Sequence, residues 1–190
     1  MYKDKFLFFG FGQTAKYFVN NLEKSKKKFT FSATNTKKTA LKTFGKKKFL
    51  SFKFKDQFYD KKLIKTLSEA DYVLISIPPQ KKKDLVLKSF GKFLKKSKLK
   101  KLIYLSATSV YGNHNGKWVN ESSKLKGNTK LGLGRKIVEK SWIKFRDQYN
   151  LNINILRVSG IYSKESNVLK KISKKNIYVK EKKYFSRIRI

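Results

Sequence analysis

An unbroken apolar run, Phe6 to Phe9, meets Gly10 and gives way at once to a stretch with Ala15, Phe18, Val19 and Leu22 at helical spacing. A strand that turns on glycine into an amphipathic helix constrains this chain more than any other feature, because an all-apolar strand must be covered on both faces. The alternation then repeats. Phe29 to Ala33 reads as a strand, Lys37 to Phe44 as a short helix, Phe49 to Phe52 as a strand and Lys61 to Leu67 as a helix. Tyr72 to Ile77 is a fourth strand and stops at Pro78-Pro79, which cannot donate to a ladder. Leu85 to Leu94 carries a helical pattern, Lys101 to Leu105 is a strand, Thr129 to Tyr149 a long helix and Ile153 to Val158 a sixth strand.

Strands separated by helical crossovers predict an α/β protein: a Rossmann-type doubly wound parallel sheet of about six strands, with helices on both faces and right-handed connections. In such a sheet ligands bind beyond the strand C-termini, where the strand order reverses. The 190 residues suffice for one core, and 39% apolar residues, rich in Phe and Tyr, can fill it. The longest irregular stretch, Tyr111 to Asn128, is polar and contains glycine, and it lies where an active-site loop is expected.

Gly10-Phe11-Gly12-Gln13-Thr14-Ala15 is a G-x-G-x-x-A sequence set between a strand and a helix. That context predicts a site for NAD or NADP. Gly10 permits the tight turn, Gly12 lets the backbone approach a pyrophosphate, and Ala15 allows close packing of a helix whose free N–H groups face the phosphates. A glycine turn without a ligand is the competing explanation. Phe31 to Lys38, where an acidic residue would take ribose hydroxyls, carries no carboxylate. Thr34, Asn35 and Lys37 are then candidates for a 2′-phosphate, which favours NADP slightly over NAD.

The 48 basic and 12 acidic residues leave a net charge of +36, a field able to draw nucleic acid, anionic membrane or phosphorylated metabolites. The lysines nevertheless come in short runs over the whole length, only five basic residues are Arg, and no basic stripe stands apart. They read as solvated surface, and nucleic acid is not an expected partner. Zero cysteines exclude disulfides, thiolate metal sites and a cysteine nucleophile, and the single histidine, His114, cannot form a multi-histidine site, so no metal is expected. No window approaches the roughly 18 apolar residues of a membrane span, and the start lacks a signal-peptide core. A cytoplasmic location and a small-molecule substrate are expected.

Three further segments complete a pattern: Ser76-Ile77-Pro78-Pro79, then Leu105-Ser106-Ala107-Thr108-Ser109-Val110-Tyr111-Gly112 with Trp118 and Glu121 downstream, then Leu156-Arg157-Val158-Ser159-Gly160-Ile161-Tyr162. Through these and the glycine turn, the chain resembles the NAD-dependent epimerase/dehydratase group of extended short-chain dehydrogenases/reductases, particularly its atypical members, over essentially its whole length. The resemblance implies an NAD(P)-dependent oxidoreductase or epimerase-like enzyme on a small carbonyl or sugar-nucleotide substrate, with Ser76, Ile77, Pro78 and Ser106 beside the cofactor. It also divides the chain into an NAD(P)-binding domain, 1–162, and the start of a truncated C-terminal substrate-binding portion, 163–190. Phe185-Ser186-Arg187-Ile188 looks like the segment that precedes that portion in the family.

The family's chemistry uses a Ser or Thr after strand five and a Tyr-x-x-x-Lys on the next helix, the Lys lowering the pKa of the Tyr acid/base. Carried over on the register of Val110 and Glu139, the hydroxyl slot falls on Ala107, flanked by Ser106 and Thr108, the Tyr slot on Leu131 and the Lys slot on Arg135. Thr108, Tyr111 and Arg135 become the candidate working groups, with Ser109 a second hydroxyl. Arg135 is also a candidate for a cofactor ribose or phosphate, or for an i,i+4 pair with Glu139. Tyr111 serves either as a replacement acid or as packing, and His114 and Glu121 face either substrate or solvent. The altered positions leave one alternative open, a non-catalytic NAD(P)-binding sensor or degenerate family member.

Overall fold

The computed structural model describes residues 3–163 and 187–189. In chain order the elements are β1 (Asp4–Phe9), α1 (Gln13–Lys24), β2 (Phe29–Asn35), β3 (Ala40–Phe44), β4 (Lys47–Lys55), β5 (Phe58–Tyr59) and α2 (Lys62–Ser68). There follow β6 (Tyr72–Ile75), α3 (Leu85–Leu94), β7 (Lys101–Ala107), a 3₁₀ turn (Thr108–Val110), α4 (Lys130–Tyr149), β8 (Ile153–Val158), β9 (Gly160–Tyr162) and β10 (Arg187–Arg189).

Side chains of β1 alternate between two cores, as a strand's period of two requires. Leu7 and Phe9 join Leu63 and Leu67 of α2, Val86 and Phe90 of α3, and Val138 and Trp142 of α4 on one face. Phe8 joins Ala15 and Val19 of α1 and the rings of Phe29, Phe31 and Phe49 on the other. The strand order is β3-β4-β2-β1-β6-β7-β8, with β5 added against β4, so the main sheet has eight strands rather than six. From β4 to β8 the neighbours are parallel, and the chain runs outward from β1 to β2 and β4 before returning to β6 on its other side. The doubly wound Rossmann-type architecture is present, and its order reverses between β1 and β6.

One element differs in kind. The segment expected as a helix over residues 37–44 is instead strand β3, paired antiparallel with β4 across a turn at Gly45, whose φ is +57°. Eight residues are too few for a helix to form without a packed apolar face. The hairpin seats Phe44 against Phe11, ring centroids 5.3 Å apart, and leaves Leu41 64% exposed at the sheet edge. Tertiary packing thus outweighs local preference.

Helix ends follow their residues. Asp84 caps α3 by accepting from the Leu87 N–H at 2.8 Å, Thr129 caps α4 by accepting from the Gly132 N–H at 3.1 Å, and α4 stops on Asn150 in the left-handed conformation. Strand β9 pairs in parallel with β10. Most of the expected C-terminal portion, residues 164–186 and 190, lies outside the described residues. Among the described residues no helix is long and apolar enough to cross a membrane.

At the N-terminal ends of the strands, buried Asp71 ties three of them together. Its carboxylate accepts from the Lys5 N–H at 2.8 Å and sits 3.3 Å from Lys100 Nζ, while its own N–H donates to the Lys5 carbonyl at 2.9 Å. Asp71→Ala orphans the Lys5 N–H, and a loss of about 1–3 kcal/mol in urea unfolding is expected.

Candidate functional site

The opposite, C-terminal, end of the sheet is organised around Gly10. Its φ is +90°, and a Cβ there would lie 2.8 Å from Ser76 Oγ and 2.9 Å from Ile77 Cγ2, so only glycine lets the loops after β1 and β6 close on each other. The Gly10 N–H donates to Thr34 Oγ1 at 2.9 Å, and Ser76 Oγ donates to the Phe9 carbonyl at 3.1 Å. Loops from β1, β2 and β6 are therefore stitched together where the strand order reverses.

Gly12 differs from Gly10. It begins α1 with no side-chain cap and no acidic residue in the first turn, and a Cβ on it would meet nothing within 4 Å. The first N–H groups of α1 are left for an external acceptor, at the mouth of a cleft of about 540 Å³. No neighbouring atom requires glycine at this position. Ala15 is fully buried and seats α1 on the sheet, while Gln13 and Thr14 are half-buried in its first turn.

The structure brings Gly10, Phe11, Gly12, Thr34, Asn35 and Ile77 to this one cleft. Several are already committed to the scaffold. The Phe11 ring packs on Phe31 and Phe49, at centroid distances of 5.4 and 4.9 Å. Thr34 is buried and holds Gly10. The Asn35 amide donates to Ser51 Oγ at 2.8 Å and to the Lys38 carbonyl at 3.0 Å, and its oxygen accepts from the Lys37 N–H at 2.8 Å. Lys37 and Pro78 are exposed and do not line the cleft. Among the cleft residues that escaped the sequence reading are two cations, Lys16 and Lys42. Lys42 was hidden by the helical reading of its segment, and Lys16 by the abundance of lysine.

A second constellation surrounds the end of β7. Ser106 is buried, and its hydroxyl has no partner among the described residues. Thr108 opens the 3₁₀ turn half-buried, and its carbonyl accepts from the Tyr111 N–H at 3.0 Å. This turn is pinned by backbone contacts: a Cβ on Gly132 or on Gly127 would fall 2.5 Å from the Ser109 carbonyl oxygen. Arg135 donates through Nη1 to the Leu105 carbonyl at 3.3 Å. The i,i+4 pair with Glu139, one of the two roles open to Arg135, is not among the ion pairs of the described residues.

Glu139, 1% exposed, is held by Arg157 of β8 through Nη2 at 2.9 Å and Nε at 3.1 Å. Arg157 also donates through Nη1 to the Tyr111 hydroxyl at 3.1 Å and lies 5.0 Å over the Tyr111 ring. Burial works to lower the Arg157 pKa, but the Glu139 carboxylate and Tyr111 hydroxyl outweigh it and raise it. Tyr111 itself is buried. Leu131 stands 72% exposed on the first turn of α4, Glu121 and Trp118 are exposed, and His114 Nε2 lies 3.0 Å from the Lys124 carbonyl. Arg157 was not a candidate site residue in the sequence, where it reads as part of the sixth strand and of the segment that carries the resemblance.

Behind β7, burial pushes the Asp84 carboxyl up, with the Leu87 N–H and the Trp142 indole drawing it back. An acid with a raised folded pKa favours the native state most below its unfolded value of 3.8 and loses that contribution as pH rises through the folded value. Asp84→Asn keeps the capping oxygen and removes the ionisation. The variant is expected to gain in urea midpoint on wild type at about pH 7.5 and to lose that advantage at about pH 3.5.

Neither a family model nor a curated protein sequence matches the chain. Its fold matches solved structures. A functionally unknown conserved protein from Silicibacter pomeroyi DSS superposes with a TM-score of 0.77 at 24% identity, covering 98% of this chain and 64% of that one. UDP-glucuronic acid 4-epimerase from Bacillus cereus in complex with NAD gives 0.67 at 19% identity, covering 84% and 57%. UDP-N-acetylglucosamine 4-epimerase from Methanobrevibacter ruminantium M1, in complex with UDP-N-acetylmuramic acid, gives 0.68 at 20% identity, covering 85% and 56%. This chain shares their fold and spans between 56% and 64% of their lengths.

Proposed function

We propose that the chain binds a nicotinamide dinucleotide across the C-terminal ends of β1, β2 and β6, and acts as an oxidoreductase or epimerase-like enzyme on a small carbonyl or sugar-nucleotide substrate. The observation that carries this reading is Gly12, an uncapped helix start with open space where a side chain would be, at the point where the strand order reverses. The fold shared with an epimerase in complex with NAD supports it. Of the two cofactor forms, NADP is favoured slightly, because no residue lining the cleft is acidic.

The residues fit the cofactor in sequence along the sheet edge. Gly10, Gly12 and the first turn of α1, including Gln13 and Thr14, take the pyrophosphate. Thr34 and Asn35 shape the adenosine side without spending their own polar atoms on it. Ser76, Ile77 and Pro78 would lead toward the nicotinamide, and Ser106 and Arg135 would hold its ribose. When bound, the nicotinamide supplies a carbon that accepts or returns hydride. Thr108 would hold a substrate oxygen, and Arg135, a permanent cation, would stabilise negative charge on that oxygen but could not carry a proton. Proton transfer then rests on Tyr111, whose phenol is set against Arg157.

One observation favours a second reading. Leu131 occupies the position expected of the acid/base Tyr, and the Tyr111 phenol is buried and bound to Arg157. A chain so altered would keep the cofactor and lose the chemistry, as a sensor does. Cofactor binding is common to both readings and is tested first. Thermal unfolding with NAD, NADH, NADP and NADPH should show a shift for at least one dinucleotide, worth about 2.7 kcal/mol when ligand is at 100 times its Kd. Gly12→Asp should abolish the shift while leaving the unliganded melting temperature near wild type, because the new side chain points into open space. No shift from folded wild type would remove the dinucleotide and both readings with it.

A further inference from the structure

Two lysines line the cleft from α1 and β3. Lys16 leaves α1 one turn beyond Gly12, and its Nζ stands 6.0 Å from the centroid of the Phe44 ring. Lys42 lies two residues before Phe44 on β3, so the strand's period of two puts both on the same face. Both lysines line the cleft that holds Gly10 and Gly12, together with Thr36 at the end of β2. Among the described residues neither ammonium is paired with a carboxylate.

Thr34 and Asn35, the polar candidates on β2, are already engaged within the fold. Thr34 Oγ1 accepts from the Gly10 N–H, and the Asn35 amide is divided among the hairpin and β4. A strand stands where a helix was expected, and it brings to this cleft a cation that the crossover would otherwise lack. Electrostatics at the adenosine end of the cleft are therefore set by α1 and the β3 hairpin.

Resting on the dinucleotide reading above, we infer that Lys16 and Lys42 form a 2′-phosphate site and select NADP over NAD. Two ammonium groups lining one cleft, with no carboxylate among the lining residues, repel nothing on a phosphorylated ribose and lack the acceptor that an unphosphorylated ribose uses. The open edge suits point charges on flexible stems, which reach a phosphate without a fixed geometry.

The test is calorimetric titration of the full chain with NADP and NAD, and with adenosine 2′,5′-bisphosphate and AMP as fragments, at fixed moderate salt. Wild type should bind each 2′-phosphorylated ligand at least about tenfold more tightly than its partner, since each charge-assisted contact is worth about that factor. Lys42→Glu and Lys16→Glu should each remove most of that ratio, chiefly through loss of affinity for the 2′-phosphorylated ligands. Lys98→Glu, on the loop before β7 at the opposite end of the sheet, makes the same change in net charge and should leave the ratio intact. Equal NADP and NAD affinity in wild type, or an equal loss in Lys98→Glu, would overturn the site and leave the dinucleotide reading standing. Failure of wild type to bind any of the four ligands would overturn both.

Discussion

The meeting of three loops at Gly10 is the constraint on which the rest of the site depends. Its N–H is satisfied by Thr34 from β2, and its missing side chain admits Ser76 and Ile77 from the segment after β6. Without that closeness the segments after β1 and β6 would part beyond the end of their ladder, and the first turn of α1 would face no defined floor. The arrangement also explains why two glycines two residues apart do different work. Gly10 is spent on the fold, and Gly12 has nothing of the fold to contact.

The sheet around this point is held by aromatic packing. Phe6, Phe8, Phe11, Phe29, Phe31 and Phe49 form one continuous layer under α1, with centroid separations between neighbours from 4.6 Å for Phe31 and Phe49 to 6.3 Å for Phe29 and Phe31. Phe11, inside the glycine turn, belongs to that layer, so the turn is anchored to the core by the one residue of its Gly-x-Gly that has a side chain. Rigidity of the site and burial of the β1–β2–β4 face are one packing event.

Much of this was legible in the sequence because it is local. The glycine turn, the Pro78-Pro79 stop after β6 and the long helix opening at Thr129 depend on residues within a few positions of one another, and the bounds of α3 and β8 follow directly from periodicity. What was not legible is long-range. Residues 40–44 have no helix-breaking residue before Gly45, and only their pairing with β4 and the seat for Phe44 on Phe11 make them a strand. Asn35 and Thr34 look like ligand-binding polar residues until their partners, 16 and 24 positions away, are known. Lys16 and Lys42 gain meaning only once the hairpin sets them in one cleft.

The same distinction sorts the charges beyond β7. Arg157 and Arg135 lie on neighbouring elements, yet Arg157 is neutralised by a buried carboxylate in a forked contact, whereas Arg135 is held by a neutral carbonyl and enters no ion pair among the described residues. A buried Arg–Glu pair is retained for position more readily than for stability, since its desolvation offsets most of its attraction. Here it positions the Tyr111 ring and, through Tyr111, the turn that carries Thr108. Arg135 is left as the unneutralised positive charge at the end of β7. A guanidinium left in this way suits holding an oxyanion better than exchanging a proton with it.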